Sequence, residues 1–155
     1  MATVAFEKPL VPRTAFPDSV QQQTDAPALD ISVVFTSVRW TLNALRKAAA
    51  LADGLRARIT LIVPQVVPYP LPLESPPVLL DFNERHFFTI VNENRIETTV
   101  RIYLCRDRVE LLSTVLRPHS LVVLGGRKRW LPTRELRLAK RLRRIGLEVM
   151  VVEGE

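Results

Sequence analysis

Short β-branched runs alternate with amphipathic stretches along most of this chain. Ile31-Ser32-Val33-Val34-Phe35 follows Asp30 as a run long enough for a central strand. It stops at Thr36-Ser37, polar residues able to cap a helix. From 40 to 55 apolar residues recur at Leu42, Leu45, Ala49 and Ala52, with Ala44, Ala48, Leu51 and Leu55 on a neighbouring row, which predicts a helix with a wide apolar face. Gly54 supplies a left-handed stop. Ile59-Thr60-Leu61-Ile62-Val63 then reads as the second strand, with Pro64 marking its end. A strand, a helix and a strand so closely spaced predict a right-handed parallel crossover.

The second half repeats this grammar. In 78–94, Leu80, Phe87 and Val91 share a helical face behind prolines suited to a helix start, and a helix is the reading taken; the alternative is a hairpin pairing 86–91 with 96–105. Over 96–105 apolar Ile96, Val100, Ile102 and Leu104 alternate with Glu97, Thr99 and Arg101, as in a strand with one wetter face at a sheet edge. A short helix over 108–116 turns Val109, Leu112 and Leu116 inward and ends before Pro118. Leu121-Val122-Val123-Leu124-Gly125-Gly126 is a buried strand running into a glycine turn. The last helix places Leu138, Leu142 and Ile145 on one face, with Thr133 as N-cap and Gly146 as stop. A strand over 147–152, five of six residues apolar, is too greasy to leave open at an edge.

Two stretches fall outside the pattern. Residues 1–29 hold four prolines, three consecutive glutamines and no apolar periodicity, and are expected to form a flexible tail or at best a strap over the surface ahead of one domain spanning 30–155. Residues 64–77 hold six prolines and must form an extended loop; Val66, Leu71 and Leu73 predict that it folds back on the domain.

Composition changes this picture in three ways. The 155 residues, 47% hydrophobic and 25% charged, fit one globular domain with no apolar run long enough to span a membrane and no signal peptide, so a cytoplasmic protein is expected. Cys105 is the only cysteine, within an apolar run, and His86 and His119 lie far apart; an inert thiol, no metal and no histidine triad are expected. Of the net charge of +6, the segment 127–144 alone supplies +8, with nine basic residues against Glu135, so the basic character belongs to one loop and one helix face carrying Arg134, Arg137, Lys140, Arg141 and Arg144. No nucleophile motif or paired carboxylates appear, and no enzyme is expected.

Five strands and four helices in this order resemble the universal stress protein family. The likeness runs over about 31–152, and is best at Ala44-Leu45-Arg46-Lys47-Ala48-Ala49-Ala50-Leu51-Ala52 through 59–63, and at 120–126 with 147–152. The resemblance implies an α/β fold with an open parallel five-stranded sheet of order 3-2-1-4-5 and helices on both faces, like the adenine nucleotide alpha hydrolases. It also implies a homodimer through the last strand, 147–152.

Members of that family divide into ATP binders and non-binders. The binding motif is a glycine, two residues, a second glycine, nine residues, then glycine and serine or threonine. Gly125 matches the first glycine, Lys128 stands at the second, no glycine-serine pair follows, and the shortened loop reaches the helix at Pro132-Thr133. The acidic residue that ends the family's first strand is replaced by Thr36. The residues placed to line a crevice are Thr36, Ser37, Gly125, Gly126, Arg127 and Thr133. The expected function is a dimeric, stress-response interaction module without a standard ATP loop and without a cofactor. The alternatives are adenine nucleotide binding at that crevice, and binding of nucleic acid or an acidic protein partner by the Arg-rich helix.

Overall fold

The structure, a computed structural model, describes the backbone of 4–10, residues 29–73, 98–127 and 132–153, and Arg85, Phe87, Thr89, Val91 and Asn92. In order these form β1 (Val4–Leu10), β2 (Asp30–Val34), α1 (Val38–Leu55), β3 (Arg58–Val66), β4 (Thr98–Cys105), α2 (Arg108–Val115), β5 (Leu121–Gly126), α3 (Arg134–Arg144) and β6 (Glu148–Glu153). A further helical stretch carries the five residues between 85 and 92.

The β-branched runs from 31 onward build a parallel sheet, β4-β3-β2-β5-β6, the order 3-2-1-4-5 when strands are counted from Asp30. Alternation along each strand sends side chains to opposite faces. On one face Ile31, Val33, Leu61, Val63, Val100, Ile102 and Val123 pack against Ala44, Leu45 and Ala48 of α1 and against Phe87 and Val91. Phe87 meets Phe35 edge-on, with ring centroids 4.9 Å apart. The helix expected over 78–94 is therefore present at its described residues, held by the two apolar positions that predicted it; Leu80 and His86 lie outside them. On the other face Leu111, Leu112 and Leu116 join Leu138, Ala139 and Leu142 over Val34, Ile62, Tyr103, Val122 and Leu124.

Several boundaries differ from those expected, each for a local reason. The N-terminal tail contains an element: β1 pairs antiparallel with β4 from Val4 opposite Leu104 to Leu10 opposite Thr98, making the sheet six-stranded. Pro9 is tolerated there because an edge strand has a side that needs no N–H donor. β4 is consequently not at the sheet edge. The rest of the tail, 1–3 and 11–28, lies outside the described residues. Pro64 does not end β3, which continues to Val66 paired with β4, Pro64 opposite Tyr103. Pairing with β2 has ceased at Ile62, so β3 has an open side where the missing N–H of Pro64 costs nothing.

Arg56, at φ 50°, takes the left-handed turn assigned to Gly54, because only two residues connect α1 to β3 and Arg58 must arrive opposite Asp30. Ile145 caps α3 and is exposed rather than inward, while Gly146, at φ 92°, makes the expected stop. In the proline-rich loop Leu73 is buried with Val67 and Leu104, whereas Val66 and Leu71 are exposed. Arg106 fastens that loop, donating to the carbonyls of Val67 at 2.8 Å and Leu71 at 2.7 Å with its guanidinium over the Tyr69 ring.

Deleting residues 1–10 should retain the circular dichroism of the parallel sheet but lower the Tm and cause concentration-dependent association through the bared edge of β4. An unchanged Tm and an unchanged mass in solution would show that β1 adds nothing to the sheet.

Candidate functional site

In an open parallel sheet, ligands settle beyond the carboxyl ends of the strands where the strand order reverses, which here lies between β2 and β5. β2 reaches this point through Phe35, whose N–H still bonds the Ile62 carbonyl at 2.9 Å. Ser37 then caps α1 in extended conformation, its Oγ accepting weakly from Trp40 N at 3.5 Å. Thr36 lies between them, and its hydroxyl and N–H are both engaged within the chain. Its Oγ1 donates to the Gly125 carbonyl at 2.8 Å, and its N–H donates to Oγ1 of the buried Thr41 at 3.2 Å.

The glycines serve packing. A Cβ added at Gly125 would collide with the Trp40 carbonyl and come within 2.9 Å of Trp40 Cβ. The first turn of α1 thus lies directly on the end of β5, and only glycine permits it. A Cβ at Gly126 would meet Glu135 Cβ at 3.0 Å and Cγ at 3.4 Å. The acidic side chain in the first turn of α3 therefore overlies the second glycine, where it complements the helix dipole and opposes a phosphate. Thr133 caps α3, accepting from Leu136 N at 3.3 Å.

Of the six residues read as lining a crevice, Thr36 and Gly125 are bonded to one another, Ser37 and Thr133 cap their own helices, Gly126 backs onto Glu135, and Arg127 is exposed at the end of β5. Residues 128–131 lie outside the described part. Trp40, Thr41 and Glu135 occupy this place and were not singled out from sequence. Trp40 acts through a backbone carbonyl, which carries no signature in residue type. Glu135 could have been found as an acid two residues past an N-cap.

No protein-family model matches the sequence, and no curated protein does. Among solved structures, the crystal structure of a protein from the universal stress protein family from Burkholderia pseudomallei is similar with a TM-score of 0.55 at 23% identity, over 79% of this chain and 94% of that one. The chain has the universal stress protein fold. The five parallel strands of order 3-2-1-4-5 and their helices match that fold, and β1 lies outside them at the outer edge of β4.

Among the described residues no group of three or more His, Cys, Asp or Glu could hold a metal, and no helix is long and apolar enough to cross a membrane. Burial pushes the Cys105 thiol from 9.0 up to about 11, with Arg108 pulling the other way, and its Sγ lies 3.8 Å from the Gln65 carbonyl. Such a thiol holds little thiolate at neutral pH.

Gly125→Ala should destabilise the fold by about 3 kcal/mol, because backbone cannot yield to the added methyl. Thr36→Val should cost about 1 kcal/mol by leaving the Gly125 carbonyl unpaired. Chemical denaturation measures both; a neutral Gly125→Ala would mean that α1 does not press on β5. Cys105 should alkylate about a hundredfold more slowly than an ordinary thiol near pH 8. Because its folded-state pKa is raised, the stability this group supports is fully present below pH 9.0 and is lost as pH rises towards about 11. Cys105→Ser should flatten that alkaline decline.

Proposed function

We propose that this chain is a universal stress protein-like module of the non-ATP-binding type, acting in the cytoplasm as a dimer through protein contacts, with no catalysis and no resident nucleotide. The observation that carries the reading is the seating of α1 on Gly125, sealed by the Thr36 hydroxyl. A triphosphate needs bare backbone amides at that spot. Here the Trp40 carbonyl, an acceptor, meets the first glycine, and a carboxylate-bearing side chain meets the second. Adenine nucleotide binding would require both to move.

The dimer is supported by β6. It is the outermost strand of the parallel sheet, and Val149, Met150, Val151 and Val152 are only half buried. A groove of about 670 Å³ between α1 and the end of β6, floored by Leu42 and Val152 and rimmed by Arg39, Arg46 and Lys47, continues from that edge. A second copy pairing along β6 would cover both.

A second reading rests on α3, where Arg134, Arg137, Lys140, Arg141 and Arg144 are all exposed while Leu138, Ala139 and Leu142 anchor the helix. This face is complementary to an acidic protein surface, and charge alone would also admit nucleic acid.

Isothermal titration with ATP and with AMP should give no heat of binding, and a micromolar constant for either would overturn the nucleotide-free reading. Native mass spectrometry should show twice the chain mass of 17.6 kDa, and a monomer at micromolar concentration would overturn the dimer. Any association through α3 should weaken steeply with salt and vanish on reversing Arg137 and Lys140 to Glu.

A further inference from the structure

We propose that the cavity at the amino ends of β2, β3 and β4 is a binding site for a small phosphate-class anion, either inorganic phosphate or a small phosphomonoester. It lies at the opposite end of the strands from the Thr36–Gly125 crevice, on the face covered by α2 and α3, and it does not depend on the nucleotide-free reading.

The floor of the cavity is a hydroxyl row. Ser32 is in register with Thr60, and Thr60 with Thr99, so three adjacent strands present a hydroxyl at one level. Strands of a sheet buried on both faces ordinarily read as continuous apolar runs. One level further along the same face stand Val34 and Ile62, which form ordinary core. Thr60 and Thr99 are half-buried, as suits an uncovered part of the face, whereas Ser32 sits in the row although it is only 8% exposed. Polar positions that break the local pattern of an element in this way point to function.

The wall supplies a second, independent observation. α2 stops at Val115, and Leu116 and Arg117 form the side of the cavity, so that no described helix covers the amino ends of the strands. The chain then turns through His119, at φ 61°, and brings Ser120 to the opening of β5. Ser120 Oγ is fully buried and has no hydrogen-bond partner among the described residues. A buried hydroxyl left unmatched is costly; Ser120 lines the cavity, although its Oγ has no surface open to it.

Charge selects the ligand class. Among the described residues Arg58, Arg101 and Arg117 line the cavity against one carboxylate, Asp30, which lies 3.4 Å from Arg58 Nε. Guanidinium groups around hydroxyls suit a tetrahedral oxyanion, because the fork of donors matches phosphate oxygens and the hydroxyls satisfy the rest. A volume of about 310 Å³ is at the small end of ligand sites, enough for phosphate carrying a few carbons.

The full chain is titrated with inorganic phosphate and with glycerol phosphate, by calorimetry and thermal shift, with chloride matching the ionic strength. Saturable binding at millimolar concentration or below is expected, with a raised Tm. Thr60→Val combined with Thr99→Val should keep or raise the Tm of the free protein while weakening phosphate about tenfold, and the exposed-site variant Arg117→Gln should weaken it similarly. If the double variant fails to fold, Arg117→Gln decides alone. Tighter binding of glycerol phosphate would identify an organic phosphate as occupant, and equal affinity would identify phosphate itself. Absence of saturable binding by either anion would overturn the proposal. So would binding indifferent to the cavity variants but lost in Arg137→Gln with Lys140→Gln, since that places the anion on α3.

Discussion

The contact on which the ligand end of this sheet depends is backbone against backbone: the carbonyl of Trp40, in the first turn of α1, against the α-carbon of Gly125 at the end of β5. Two elements from different parts of the chain can approach this closely only where one lacks a side chain. The Thr36 hydroxyl then bonds the Gly125 carbonyl, and Thr41 takes the Thr36 N–H, so the polar groups freed by the close approach find partners inside the junction. A glycine at the carboxyl end of a parallel strand is usually read as room for a phosphate. The same missing side chain can serve a helix instead, and which of the two it serves depends on what lies above it.

The two edges of the sheet are handled differently. β4 would be an open edge of the five parallel strands, and β1 closes it in antiparallel pairing, with Pro9 in the new outer strand disfavouring further addition. At the other side β6 is left with half-buried apolar residues. Arg143, from the end of α3, donates to the Val149 carbonyl at 2.7 and 3.2 Å, so one acceptor of that strand is tied to its own chain. The asymmetry concentrates any strand-mediated association on β6 and removes it from β4.

Most of the fold was legible in sequence because it rests on period. Residues 31–35, 59–63 and 121–126 could only be buried strands, and the apolar rows of α1 fixed which face it presents. What escaped has physical causes. β1 shows no apolar periodicity and contains a proline, and its pairing is supplied by a strand some ninety residues away, which no local pattern records. Pro64 was legible as a strand breaker, but whether it breaks depends on whether β2 is still alongside. At the candidate site residue types located the junction correctly, through Thr36, Ser37 and the glycine pair. They were silent on its contents, because the atom filling it is a main-chain oxygen.

The row Ser32–Thr60–Thr99 was hidden for a related reason. In each strand the hydroxyl residue is tolerable by itself, in β4 beside the polar Thr98 and Arg101, since serine and threonine fit a pleated surface and threonine favours it. Only register turns three separate hydroxyls into one polar shelf, and with the early stop of α2 no described helix covers that shelf. The two ends of the sheet have thus exchanged character. At the carboxyl ends, where parallel sheets hold ligands, helices press onto glycine and the hydrogen bonds are internal. At the amino ends, hydroxyls and guanidinium groups surround a space that no described helix fills. The described residues thus close the switch point with backbone and leave a polar, cationic opening at the other end of the sheet, and it is on this inversion that the proposed anion site rests.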